Sequence, residues 1–247
     1  MKPNTIIIGG TRGIGRALAG VMAREGHRVS VLGRNAPAGK IATGVRFWQA
    51  DVLKRKAMGE VFDEIISDRG PLNYLICLQR FKGEGDPWES ELETSLSATR
   101  WMIEHLGDKF DKRTDKGIVL VSSAAGSVIA DEQPVGYHVA KAGVCQMARY
   151  YAVTLGPRGV RVNAVSPGTV LKAETREYYR KHKKNFMTLF EKTVPLRRMG
   201  TADEVAQAIA FLCSARASFI TGQHLLVDGG ISLLSQETLL QKFAQKR

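Results

Sequence analysis

Short runs of apolar and β-branched residues take turns with longer amphipathic stretches along almost the whole of this sequence. The short runs are Thr5–Ile8, Arg28–Leu32, Val45–Gln49, Leu72–Cys77, Gly117–Ser122, Arg161–Val165 and Gln223–Val227. Several are apolar at successive positions, the pattern of strands covered on both faces. Between them, helical spacing predicts helices over Gly13–Glu25, Lys54–Asp68, Trp88–Leu106, Tyr137–Leu155 and Thr201–Cys213. Strand and helix in alternation means βαβ units, a parallel sheet and right-handed crossovers. Such an α/β chain is expected to form a doubly wound parallel sheet of about seven strands with helices on both faces. Its ligands bind outside the carboxyl ends of the strands, so function belongs to the loops that follow strands.

No internal repeat or low-complexity linker marks a boundary within the 247 residues, which predicts a single domain. With 44% apolar and 24% charged residues the chain is neither disordered, nor a collagen-like fibre, nor a coiled-coil rod. No apolar run approaches the ~20 residues of a membrane helix. The stretch before Gly9 is too short for a signal peptide's apolar region, so a cytoplasmic location is expected. Cys77, Cys145 and Cys213 are far apart and form no CxxC or CxxH pair, which predicts reduced, buried thiols and no metal site. A net charge of +12 favours anionic partners: nucleic acid, a phosphorylated cofactor or an acidic substrate.

The first loop after a strand reads Gly9-Gly10-Thr11-Arg12-Gly13-Ile14-Gly15. Glycines there permit a tight turn and let the backbone approach a pyrophosphate seated on the following helix N-terminus, the mark of a Rossmann-type dinucleotide site. An acidic residue ~20 positions on would hold the ribose 2′-hydroxyl of NAD. Here the second strand ends Leu32-Gly33-Arg34-Asn35 instead, and Arg12 can join Arg34. Two guanidiniums suit a 2′-phosphate, so NADP(H) is the expected cofactor. After the third strand, Asp51-Val52 places a carboxylate where an adenine amino group should lie; capping the next helix is the competing role for Asp51.

Val119-Leu120-Val121-Ser122-Ser123 ends a buried strand with two hydroxyls, and Tyr137 and Lys141 follow on one face of a helix. A phenol is a poor acid–base group at neutral pH, but a neighbouring ammonium favours its phenolate form. Ser123 at the adjacent strand end can hydrogen-bond a substrate carbonyl and steady developing oxyanion charge. Strand register leaves Ser122 as the lesser candidate for that role.

Together with Arg161-Val162-Asn163-Ala164-Val165-Ser166-Pro167-Gly168, Phe219-Ile220-Thr221-Gly222-Gln223 and Val227-Asp228-Gly229-Gly230, these motifs make the chain resemble the short-chain dehydrogenase/reductase family. The resemblance runs from roughly Asn4 to Ile231 and points to its common branch, the one with 3-oxoacyl-carrier-protein reductases. It implies an NADP(H)-dependent oxidoreductase that interconverts a ketone and a secondary alcohol. Tyr137 would be the acid/base, Lys141 would tune it and bind the nicotinamide ribose, and Ser123 would position the carbonyl. Thr169 and Val170, just after Pro167-Gly168, would meet the carboxamide. The family also implies a homo-oligomer, tetramer or dimer, with the Tyr137 and Trp88–Leu106 helices at an interface.

Three departures stand out. Cys77-Leu78-Gln79-Arg80 replaces the family's Asn-Asn-Ala-Gly; Ser95 stands where a catalytic asparagine holds a relay water; Ile8 replaces a threonine before the glycine loop. They motivate an alternative, a weakly active or non-catalytic NADP(H)-binding module. The substrate lid is expected over about 169–195, with Tyr178, Tyr179, Phe186, Met187, Leu189 and Phe190 available for an apolar pocket. Its cationic run, around Arg180 to Lys184, suits an anionic carbonyl or alcohol substrate or a solvated face. That run is also the best argument for nucleic-acid binding, and no recognition motif accompanies it. His182 reads as a surface residue. Beyond about 232 a tail carrying Leu233, Leu234, Leu239, Leu240 and Phe243 predicts a short helix with one apolar stripe, packed on a neighbouring subunit or over the site's mouth.

Overall fold

Burial on both faces decides the sheet. In the computed structural model, which describes residues 2–244, strand β1 (Asn4–Ile8) is buried at all five positions. Its side chains alternate between two cores: Ile6 and Ile8 face one, Ile7 the other. The chain continues through α1 (Gly13–Arg24), β2 (Arg28–Gly33), β3 (Val45–Gln49), α2 (Arg55–Arg69) and β4 (Tyr74–Cys77). After α3 (Pro87–Leu92) and α4 (Ala98–Leu106) come β5 (Gly117–Val121), α5 (Val135–Leu155) and β6 (Arg161–Pro167). Then follow β7 (Val170–Leu171), α6 (Arg176–His182), α7 (Lys184–Thr193), β8 (Gly200–Thr201), α8 (Ala202–Leu212), β9 (His224–Val227) and α9 (Gln236–Ala244).

Seven of these strands form one parallel sheet in the order β3-β2-β1-β4-β5-β6-β9. The order reverses beside β1, which pairs with β2 on one side and β4 on the other. Leu18 and Met22 of α1 and Val205 and Ile209 of α8 cover one face. Phe62 of α2, Met102 of α4 and Ala148 of α5 cover the other. The doubly wound, Rossmann-type α/β fold is as expected. Ile8 is 1% exposed and serves as an apolar strand end.

Three elements differ from the sequence pattern. Strand β4 starts at Tyr74, because Leu72 pairs instead with Phe110 in an isolated bridge. The Trp88–Leu106 helix begins at Pro87, where the Asp86 carboxylate accepts from Glu89 N, and is broken by a π-helical turn over Glu93–Ser97. The tail's apolar residues do not form one stripe. Leu233 lies in a 3₁₀ turn before α9, and Leu240 and Phe243 of α9 remain exposed. α9 rests on α7 of the lid, with Lys242 Nζ donating to Thr193 O at 3.4 Å. The tail's last residues, 245–247, lie outside the described residues. The lid's ends are tied by the β7–β8 pair, so the lid returns to the body at Gly200.

Two glycines set how closely α5 meets its neighbours. A Cβ on Gly126 would lie 2.9 Å from the Lys141 carbonyl carbon and oxygen. One on Gly136 would lie 2.7 Å from the Pro87 carbonyl oxygen and 2.8 Å from Trp88 Cα. Both neighbours are backbone and cannot swing aside. Gly136→Ala should therefore force α3 and α5 apart, at a cost of ~1–3 kcal/mol. Thermal melting should show a Tm lower by several degrees; an unchanged Tm would mean that the two helices slide freely.

Candidate active site

The glycine loop lies between the end of β1 and α1. Gly9 (φ +82°) and Gly13 (φ +54°) adopt left-handed backbone, and Gly15 has no room for a side chain, since its Cβ would lie 2.5 Å from Gly9 O. Thr11 packs its methyl against Gly33 at the end of β2. Arg12 is the N-cap of α1 and gives no side-chain cap, so the first N–H groups of the helix, from Gly13 through Gly15, face the loop without intrahelical partners. The Glu174 carboxylate, from the start of the lid, occupies this place and accepts from Gly13 N at 2.8 Å. Burial disfavours its charge, yet the Gly13 bond and the nearby Lys172 and Arg16 hold its pKa below the usual carboxylate value. An anion on that N–H is the fit expected of a pyrophosphate cradle. A dinucleotide would displace Glu174.

At the end of β2, Arg34 donates to the Lys82 carbonyl at 2.9 Å. Burial lowers the Lys82 ammonium pKa, and so do the positive charges of Arg12, Arg80 and Lys172. Arg12, Arg34 and Lys82 thus form one cationic corner. Sequence reasoning missed Lys82, which lies across the sheet from Arg34 with no motif to mark it. Asp51 Oδ1 accepts from Leu53 N at 3.1 Å, while α2 begins later with Lys54 as its N-cap and no side-chain cap. The helix-capping reading of Asp51 is corrected by that geometry: the carboxylate makes a turn before the helix. Val52, beside it, packs against the core.

Past β5 the two serines separate cleanly. Ser122 is 5% exposed and its hydroxyl donates to the Lys141 carbonyl at 2.6 Å, which removes it as a substrate contact. Ser123 is half-buried and accepts from Ala125 N at 3.2 Å, leaving its own O–H free to donate. Tyr137 stands in the first turn of α5, half-buried, with Lys141 one turn on and 3% exposed. Lys141 Nζ lies 5.6 Å from the Tyr137 ring centroid and donates to the last β5 carbonyl, Val121 O, at 3.3 Å. Burial pulls the Lys141 pKa down to about 8; Glu91 opposes that and Arg80 adds to it. Pro167 ends β6, and Gly168 abuts Asp228, where a Cβ would lie 2.7 Å from Asp228 Cβ. Thr169 is exposed and Val170 opens β7, both beyond the same sheet edge.

The altered loop after β4 reaches into this crevice. The Arg80 guanidinium lies over the Tyr137 ring, 4.7 Å from its centroid. Gln79 Nε2 donates to Thr99 Oγ1 at 2.6 Å, and its Oε1 is buried without a partner. Ser95 is 2% exposed, in the π-helical turn, and its hydroxyl donates to the buried Glu91 carboxylate. The other Glu91 oxygen accepts from Phe81 N at 3.2 Å. The crevice between Gln79, Ser95, Thr99 and Lys141 is too narrow for a water. Glu91 escaped sequence reasoning, and Arg80 entered it only as part of the altered loop. In the lid, His182 lies against Tyr178, and Phe186 stacks between Tyr179 and Phe190, so these aromatics pack on one another.

The buried ammonium makes a pH prediction. Lys141 titrates near 10.5 when unfolded and about 8 when folded, so between those values the unfolded chain holds the extra proton. Stability contributed by this group therefore rises with pH across that window. Relative to Lys141→Met, the native chain should gain a few kcal/mol between pH 8 and 10.5. Denaturant unfolding of the two proteins across that range measures the gap; a constant gap would rule out the buried ammonium.

Comparison with known proteins agrees with this geometry. The family described as Enoyl-(Acyl carrier protein) reductase matches residues 9–232. The human 3-oxoacyl-[acyl-carrier-protein] reductase is 32% identical over 248 residues, covering 92% of this chain and 97% of the relative. Isoepoxydon dehydrogenase of Penicillium expansum is 29% identical, covering 94% and 96%. Among solved structures, ligand-free aldohexose dehydrogenase of Thermoplasma acidophilum superposes with a TM-score of 0.85 at 26% identity, covering 95% and 96% of the two chains. With its glycine loop, serine and tyrosine–lysine helix at the carboxyl end of one sheet and these likenesses along nearly its full length, the chain belongs to the short-chain dehydrogenase/reductase family of oxidoreductases.

Proposed function

We propose that this chain is an NADP(H)-dependent oxidoreductase interconverting a ketone and a secondary alcohol, with Tyr137 as the proton-transfer group. The observation that carries the reading is the approach of the Lys141 ammonium to the Tyr137 ring, one helical turn apart, at the carboxyl end of the sheet that also bears the glycine loop. When bound, the cofactor supplies or accepts the hydride. The N–H groups at the start of α1 hold its pyrophosphate, assisted by Thr11 and Ile14 of the loop. Arg34, with Arg12 and Lys82, takes the 2′-phosphate through charge-assisted bonds. Asp51 and Val52 meet the adenine; Pro167, Gly168, Thr169 and Val170 meet the carboxamide.

Ser123 donates its free O–H to the substrate oxygen. Tyr137 gives that oxygen a proton in reduction and takes one back in oxidation. Lys141, shielded from solvent, supports the charge that develops on the phenol and binds the nicotinamide ribose. Relatives named as a 3-oxoacyl reductase and an aldohexose dehydrogenase act on the same carbonyl–alcohol chemistry, which supports this assignment. The exposed apolar residues Val135, Val139, Tyr150 and Val153 on α5 support assembly into a homo-oligomer. Among the described residues no helix is long and apolar enough to cross a membrane, in keeping with a proposed cytoplasmic location.

A second reading, an NADP(H)-binding module with little turnover, draws on the altered Cys77–Arg80 loop and on Ser95, which is held by Glu91 of α3. It requires a melting shift with NADPH but no cofactor oxidation on any carbonyl compound. Tyr137→Phe separates the two. Under the leading reading kcat falls by at least ~100-fold, while NADPH binding measured by fluorescence persists. Full activity in that variant would remove Tyr137 from its role. For the cofactor, Arg34→Asp should shift the kcat/KM ratio toward NADH by ~10-fold or more; an unchanged ratio would take Arg34 out of the phosphate site.

A further inference from the structure

Arg80 is unlike the other cations of this site. Arg12, Arg34 and Lys82 gather at the end of β2, where a cofactor phosphate would neutralise them. Arg80, just past the end of β4, lays its guanidinium on the face of the Tyr137 ring, and its charge is felt at both Lys82 and Lys141. Among the described residues no carboxylate lies within ion-pair distance of it. Its one side-chain hydrogen bond goes to a neutral amide oxygen, Gln133 Oε1, at 3.4 Å. The side chain is exposed, so its planar fork of N–H donors is available to a ligand.

The backbone that carries Arg80 is held firmly. Gln79 is anchored to Thr99, and Phe81 N donates to the buried Glu91 carboxylate, itself bonded by Ser95. Arg80 thus stands between two fixed residues and is steadied by the tyrosine ring. Attraction between a guanidinium and an aromatic ring does not use up the N–H donors, which stay available to a ligand. Lys82, Lys172 and Lys141 lie close enough that positive charge already crowds this mouth, and an incoming anion relieves that repulsion.

We infer that Arg80 reads a carboxylate on the substrate, so that the preferred substrates are short oxo acids and the matching hydroxy acids. This inference rests on the proposed carbonyl–alcohol activity of the Tyr137 site. The carbonyl oxygen sits on the Tyr137 hydroxyl and the carboxylate on the guanidinium above the same ring. That spacing requires the two groups to be near neighbours in the substrate, as in a 2-oxo or 3-oxo acid. The carboxylate is neither made nor broken; paired bonds from Arg80 hold it and orient the carbonyl toward Ser123 and Tyr137. Arg80 is a specificity residue in this scheme, and the proton stays with Tyr137.

The test compares acids with their own methyl esters, which differ in charge and little else. Native protein and Arg80→Ala are assayed with NADPH on 2-oxobutanoate, 3-oxohexanoate and the two esters, while NADPH affinity is measured separately. The native chain should prefer each acid, and the acid-to-ester ratio of kcat/KM should fall ~10- to 100-fold in Arg80→Ala. Any effect of Arg80 on the phenol itself acts on acid and ester alike and cancels in the ratio. An unchanged ratio, or a native chain that does not favour the acids, overturns the assignment. A loss confined to NADPH affinity does the same and makes Arg80 a cofactor ligand.

Calorimetry of the four compounds with the NADP-loaded protein supplies a readout that needs no turnover. If none is reduced, yet the acids bind and Arg80→Ala abolishes that preference, the oxidoreductase reading fails and the role of Arg80 stands. If the acids bind no better than the esters, Arg80 is not a carboxylate reader.

Discussion

A buried ammonium fixes the geometry on which the rest of this site depends. Lys141 places a charged group under the end of β5, where its desolvation is unfavourable and must be offset by close polar neighbours. The Val121 carbonyl accepts from its Nζ, and the Ser122 hydroxyl donates to its backbone carbonyl. Gly126 lets the turn after β5 press on that same carbonyl. Strand end and helix are thereby locked in register. Tyr137, one turn earlier on α5, has its position set by bonds made to Lys141. Ser123, the next residue after Ser122, is left as the hydroxyl with a free proton to offer.

The loop after β4 shows how such a site tolerates change. Small residues there would leave the crevice open and neutral. Gln79, Arg80 and Phe81 instead import an amide, a guanidinium and an aromatic ring, and each needs a support. The π-helical turn supplies two: it directs Thr94 O toward Gln79 Nε2 and sets Ser95 on Glu91. π turns within α-helices accumulate at functional sites because the extra residue re-aims side chains and frees backbone oxygens. The unpaired Gln79 Oε1 is the one buried polar atom of this loop left without a partner, and it faces the same crevice as Lys141. The loop has therefore changed from a passive support into part of the site's electrostatics.

Much of the architecture was legible from local pattern. Runs of apolar positions identify Thr5–Ile8 and Gly117–Ser122 as buried strands, within a residue of the observed Asn4–Ile8 and Gly117–Val121, and the i,i+4 pair Tyr137/Lys141 declares its helix face without any tertiary knowledge. What escaped depends on contacts between distant segments. Which of two adjacent serines faces the crevice is a matter of strand register, and only the bond to Lys141 O decides it. Asp51 could be read as an adenine contact or a helix cap, and only the structure, with Lys54 as the N-cap of α2 and Asp51 bonded to Leu53 N, removes the second. Glu91 reads as an ordinary helix-surface carboxylate; it is buried because the loop after β4 folds over it. Lys82 and Glu174 come to Arg34 and Gly13, in the proposed cofactor site, only through chain segments that approach from elsewhere.

Glu174 also sets the terms on which a dinucleotide enters. Gly13 N–H already has a charge-assisted bond, so an incoming pyrophosphate gains only the difference between two anions there. That difference favours the phosphates, which carry more charge and engage several N–H groups where Glu174 engages one. Glu174 belongs to the 3₁₀ turn at Ala173–Thr175 that leads into α6, and the Lys172 methylenes lie against Gly13. The lid is tied at β7–β8 and bears α9 on α7, so Glu174 is part of a framed unit. On the proposed function, a cofactor phosphate at Gly13 N would replace this lid contact, so any interaction that holds Glu174 on Gly13 would weaken cofactor binding.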